Sequence, residues 1–76
     1  MRKTDEVTYP TSCLNRARED EMLFVLLGRD AAAPSTIRHW VDERIRLGKN
    51  KANDPQIIEA LACALTIESE LERPTQ

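Results

Sequence analysis

Apolar positions fall into three runs separated by polar punctuation. The first is MLFVLL, Met22–Leu27, preceded by the carboxylates of Glu19, Asp20 and Glu21. Acidic residues ahead of an apolar run suit a helix N-terminus, because they complement the backbone dipole. Gly28 follows as a C′ residue, so the pattern predicts a helix over residues 20–27. A strand is the rival reading, since Phe24 and Val25 favour extended backbone. It is set aside because no second strand is evident in the chain to pair with it. Ahead of this run, residues 1–11 show no helical period and contain Pro10, so they read as an extended arm. Ser12 is placed to cap a short turn over residues 13–18.

The second run has the spacing of one helical stripe. Ile37, Trp40, Val41 and Ile45 lie at i, i+3, i+4 and i+8. Arg38, His39, Asp42, Glu43 and Arg46 fill the opposite face, and Arg38–Asp42, His39–Glu43 and Asp42–Arg46 are i,i+4 pairs. Gly48 marks the end, so the helix is expected over 31–47. Its start admits two solutions. Either Asp30 is the N-cap and Pro34 falls late in the first turn, or residues 30–33 form a separate turn and Pro34 opens the helix.

The third run follows the loop KNKAND. Asp54-Pro55 is a start signal, a capping carboxylate before proline at the first helical position. The helix is expected over 55–71, ahead of Pro74. From Ile57 to Ile67 only Glu59 and Thr66 are polar. A helix apolar on nearly every face is buried on nearly every face. Three helices in one short chain cannot wrap it, so the pattern predicts a homo-oligomer. Ala60, Ala62, Cys63 and Ala64 would permit close approach of another helix. The fold class expected is all-α, a small bundle of about three helices, with an arm (1–11), one helical domain (12–73) and a tail (74–76).

Composition sharpens this picture in a few places. At 76 residues the chain is a single domain, and a core this small usually needs a staple or a partner. Its two cysteines, Cys13 and Cys63, follow no secretory signal, since residues 1–10 are polar and charged. They read as reduced thiols in a cytoplasmic protein and as small core residues. One His and two distant Cys do not make a zinc site. No apolar run approaches a membrane span. The net charge of −2 is unevenly spread. Residues 29–51 carry six bases and three acids, whereas residues 52–76 carry five acids and one base. That asymmetry suits an anionic ligand or a head-to-tail subunit contact.

The candidate chemistry is correspondingly narrow. Gly48-Lys49 is followed by Asn50, and position 43 is Glu, so no P-loop is present. No GxSxG, HExxH or CxxC occurs, and nothing marks one carboxylate pair as acid and base. No enzyme activity, catalytic residue, cofactor or metal is therefore expected. A helix-turn-helix can be drawn around residues 49–53, but its second helix is apolar and acidic at its end, so nucleic acid is not an expected partner. What remains is a cluster of basic and aromatic groups: Arg29, Arg38, His39, Trp40, Arg44 and Lys49. An Arg fork matches phosphate geometry, Arg44 can stack on Trp40 at i+4, and the free N–H groups of a helix start attract anions. The cluster is the expected ligand site. A plainer reading stands beside it, with Trp40 in the core, His39 a surface residue beside Glu43, and Lys49 a cation complementing a helix C-terminus.

The segments YPTSCL, DEMLFVLLGRDAAAPSTIRHW and ALACALTIE resemble a set of short proteins encoded by phages and prophages of proteobacteria. Their pattern is DE-P-x-FVL-x-(G/A)-x-D-x-x-AP-x-x-(V/I)-R-x-W followed by EA-x-x-CA. It spans Tyr9 to Glu68, with Met22 where the pattern has Pro. The resemblance implies a phage origin and action by binding inside the host cytoplasm. Two readings follow. One is a counter-defence protein that sequesters an anionic, nucleotide-like signalling molecule. The other is an inhibitor or adaptor, in the manner of an acidic anti-CRISPR, that acts on a host or defence protein.

Overall fold

The computed structural model describes residues 1–72, in which every regular element is helical and no strand occurs. The elements are α1 (Lys3–Thr8), α2 (Cys13–Arg16), α3 (Ala33–Arg46) and α4 (Pro55–Leu71). The expected tail over 74–76 and the last residue of the 12–73 domain lie outside the described residues.

The α3–α4 hairpin is the body of the fold, and local chemistry sets its ends. Asp30 folds the chain before α3: its Oδ1 accepts from the Ala32 N–H (2.8 Å) and its carbonyl accepts from the Ala33 N–H (2.9 Å). Asp30 is thus a turn residue. Ala32 takes the N-cap position and Pro34 lies in the first helical turn, where its missing N–H costs no bond. At the far end Gly48 has φ 73°, a conformation open to a residue without Cβ. The Gly48 N–H donates to the Ile45 carbonyl and the Lys49 N–H to the Arg44 carbonyl, both at 3.0 Å, closing the paired C-terminal motif. Asp54 is the backbone cap of α4, but its carboxylate turns back into the loop. It accepts from the Lys51 N–H (2.9 Å) and Asn50 Nδ2 (3.0 Å), while Arg44 Nε donates to Asn50 Oδ1 (2.7 Å).

The apolar stripes meet between these two helices. Ala33 and Val41 of α3 and Ile57 and Ala64 of α4 are the fully buried apolar residues. Ile37 is half-buried, and Trp40 and Ile45 stay exposed at the margin of the stripe, because one partner helix covers only its centre. The opposite face of α4 is open: Ile58, Leu61 and Leu65 are exposed.

Three expectations change. Residues 21–27 form no helix, turn or bend. An isolated helix of that length is not self-supporting, and Glu21 is used in a different way. Its backbone N–H closes a turn on the Arg18 carbonyl (3.0 Å), and its carboxylate accepts from the Arg18 N–H (2.9 Å). Gly28 accordingly ends no helix; it lies beside α4, where a Cβ would stand 3.5 Å from Ile67. Residues 1–11 are not an extended arm, since α1 forms within them. Contacts from outside that segment hold it. Ser12, the N-cap of α2, is buried and donates to the Glu6 carbonyl (2.6 Å) while accepting from the Asn15 N–H (3.1 Å). Asn15 Nδ2 donates to the carbonyls of Glu6 (3.0 Å) and Tyr9 (2.9 Å), and Arg2 pairs with Glu70 of α4 at 2.6 Å. Both cysteines are free thiols, but only Cys63 is partly buried; Cys13 is exposed and is not a core residue.

Candidate functional site

Helix geometry distributes the predicted cluster. Successive residues of α3 are rotated by about 100°, so Arg38 and Trp40 lie on nearly opposite sides, whereas Trp40 and Arg44 share one. Arg38 turns towards α4 and makes a bidentate pair with Glu68, Nη1–Oε2 at 3.0 Å and Nη2–Oε1 at 2.5 Å. Arg44 lies 5.5 Å from the Trp40 ring centroid, the expected cation–π contact. His39 is exposed beside Glu43, and that carboxylate is held bidentately by Arg46 at 2.9 and 2.8 Å. Arg29 and Lys49 are exposed with no ion pair among the described residues. Of the i,i+4 pairs expected, none of Arg38–Asp42, His39–Glu43 and Asp42–Arg46 forms an ion pair. Arg38 reaches across to α4 and Arg46 prefers the residue three before it.

Two concavities result. A notch of about 280 Å³ lies between the start of α3 and the end of α4, lined by Pro34, Ser35, Arg38, Glu68 and Glu72 among others. A larger open groove of about 830 Å³ runs between the N-terminal segments and the α3–α4 hairpin. Arg38 lines the notch, Trp40 lines the groove, and Arg29, His39, Arg44 and Lys49 line neither. The groove also gathers residues that the sequence did not single out. Tyr9 and Phe24 are on its wall with Trp40, and these are the chain's only Tyr, Phe and Trp. Its charged lining is Glu6, Glu59 and Arg16, and both thiols, Cys13 and Cys63, open onto it. Each aromatic residue being unique in the chain was the one signal available. Their convergence was not readable, because it depends on where the N-terminal turn folds back.

The electrostatics are those of paired surface groups. Arg38 beside Glu68 holds that carboxyl below the usual carboxylate range, and Arg46 does the same for Glu43. The Lys51 backbone N–H, then Asn50, lowers Asp54. A depressed carboxyl stabilises the fold above its unfolded pKa and loses that contribution as pH falls through the folded value. The wild type is therefore expected to melt above Glu68→Gln at neutral pH. The two melting curves should converge as the pH falls below the usual glutamate range, about 4.3, checked by circular dichroism across a pH series. A gap that persists in acid would show that Glu68 acts through something other than its charge.

Among the described residues no three His, Cys, Asp or Glu are grouped to hold a metal ion, and no helix is long and apolar enough to cross a membrane. Compared with protein-family models, curated proteins and solved structures, the chain matches none.

Proposed function

We propose that this chain is a protein-binding module, an inhibitor or adaptor that seats a partner's side chains in the groove between its N-terminal turn and the α3–α4 hairpin. The observation that carries this reading is the gathering of Tyr9, Phe24 and Trp40 on one open groove. Aromatic side chains offer large contact area at low entropic cost and dominate interface hot spots. Glu6 and Glu59 outnumber Arg16 on the groove wall, which favours a partner segment that presents an apolar side chain flanked by bases. A phage origin and a host or defence protein as the target rest on the resemblance of Tyr9–Glu68 to phage-encoded proteins. In this reading the chain binds in the cytoplasm as a homo-oligomer and catalyses nothing.

A second reading, capture of an anionic nucleotide-like molecule, is supported by the Arg44–Trp40 stack, on which a flat base could lie, and by Arg29 and Lys49, which have no ion pair among the described residues. Three observations weigh against it. Arg38 is neutralised by Glu68, Arg46 by Glu43, and Glu6 and Glu59 are on the groove wall.

A photo-crosslinking amino acid at Tyr9, used in a proteobacterial lysate, tests the first reading. The expected result is an adduct with one protein, absent when the same group stands at Asp42 on the far side of α3. Trp40→Ala should weaken the purified complex by more than about thirtyfold, the loss of one aromatic hot spot. Absence of an adduct, together with calorimetric heat on titrating nucleotides, would replace this reading with the second.

A further inference from the structure

We propose that Met22–Leu27 is an unpaired edge strand and that a second copy of this chain pairs with it, antiparallel, through the same segment. The first observation is in the backbone. Six consecutive N–H groups, from Met22 to Leu27, donate to no group among the described residues, and of the carbonyls only that of Leu27 accepts, from the Asp30 N–H at 3.0 Å. An extended segment with open donors and acceptors is a template for another strand. The side chains agree. Met22 is 93%, Phe24 87% and Val25 72% exposed, a contiguous apolar run of a kind monomers rarely leave in water.

The exposed surface leaves room for a dimer interface. The chain exposes 6523 Å², whereas a monomer of its mass is expected to expose about 4700 Å². The excess is larger than the roughly 800 Å² that each partner contributes to a standard interface.

Symmetry and charge set the register. Neighbouring pairs in an antiparallel ladder alternate between hydrogen-bonded and non-hydrogen-bonded types. A two-fold axis can therefore pass only between a residue and its own copy. With Val25 on the axis, Leu23 faces Leu27 and Phe24 faces Leu26, so every pair is apolar. Glu21 of each copy, whose carboxylate also accepts from the Arg18 N–H at 2.9 Å, then falls at the end of the ladder near Arg29 of the other, which stands in the turn from Leu27 to Asp30. Arg29 has no ion pair among the described residues, and Glu19 and Asp20 add to the negative end. Moving the axis to Phe24 would set the Glu21 carboxylate opposite Leu27, which is unfavourable. The outer face of α4 is the other open apolar surface. Its helical backbone is already satisfied, and from Pro55 to Leu71 the helix carries acids and no base, so it has no charge complementarity with itself. Pairing through the backbone leaves Phe24 on the groove wall, so the groove and the ribbon are compatible.

Light scattering on the full chain tests the ribbon. The wild type is expected at twice the 8.7 kDa chain mass. Val25→Lys, which sets two ammonium groups together on the axis, should fall to one chain mass with unchanged helical dichroism, because Val25 is exposed. Glu21→Arg should also dissociate, and Glu21→Arg with Arg29→Glu should restore the dimer. Leu65→Glu, on α4, should remain dimeric. In a Cys13→Ser, Cys63→Ser background, Val25→Cys should oxidise to a covalent dimer. A monomeric wild type overturns the proposal, as does a Leu65→Glu monomer beside a dimeric Val25→Lys. A double charge exchange without rescue overturns the register.

Discussion

Ile57→Ala is expected to abolish cooperative unfolding, giving a chain with weak helical dichroism and no thermal transition. Ile57 is 1% exposed and is the largest fully buried side chain. Removing its outer carbons leaves a cavity and loses their transfer energy, which together cost about 2–5 kcal/mol for an Ile→Ala change. A core in a chain this short supplies at most about 3–5 kcal/mol. The loss is thus of the same size as the whole. It falls on the α3–α4 contact, to which the N-terminal segment is tied by the Arg2–Glu70 pair. Ile58→Ala is the control. That neighbour is 56% exposed, and its truncation should change stability by no more than about 0.5 kcal/mol. Urea titration followed at the helical band distinguishes the two. A cooperative transition retained in Ile57→Ala at unchanged midpoint would show that the hairpin is not the stabilising unit.

Ala64→Leu is expected to be nearly as damaging, for the opposite reason. Ala64 has no exposed surface. It lies on the α4 stripe that includes Ile57, Ala60 and Ile67, the face turned to α3. Three added carbons have no void to enter, so the helices must separate or the leucine must take a strained rotamer. Overpacking of this kind costs about 1–3 kcal/mol. The melting midpoint should drop, and the Arg38–Glu68 bond, set by the distance between the helices, should break with it. Nuclear magnetic resonance reads both effects, because the Glu68 carboxyl would titrate in the usual range once its guanidinium partner is lost. A wild-type titration of Glu68 in Ala64→Leu would show that α4 tolerates the larger residue by turning and not by separating.

The two long helices were legible because their evidence is local. The Ile37-to-Ile45 spacing, the proline at the start of each helix and the Gly48 stop each act within a few residues. Part of the candidate site was legible for the same reason, since Trp40 and Arg44 stack along one helix. Arg38 was legible as a cation but not as a paired one. Its partner Glu68 is thirty residues away, and the pair exists only because α3 and α4 lie side by side. The short helix α1 carries no apolar period, and the hydrogen bonds from Ser12 and Asn15 that hold it come from the next turn.

MLFVLL separates the two kinds of information most clearly. By itself the sequence determined that these six side chains would gain free energy on leaving water, since their composition sets that tendency in any conformation. It also determined the ends of α3 and α4, through proline, glycine and capping groups that act locally. Conformation was decided only by the tertiary structure. Whether the segment coils or extends depends on the path from α2 to α3, and whether Tyr9, Phe24 and Trp40 meet depends on the fold of the N-terminal turn. Such contacts are made by residues far apart in sequence, and their energy exists only once the chain has brought them together.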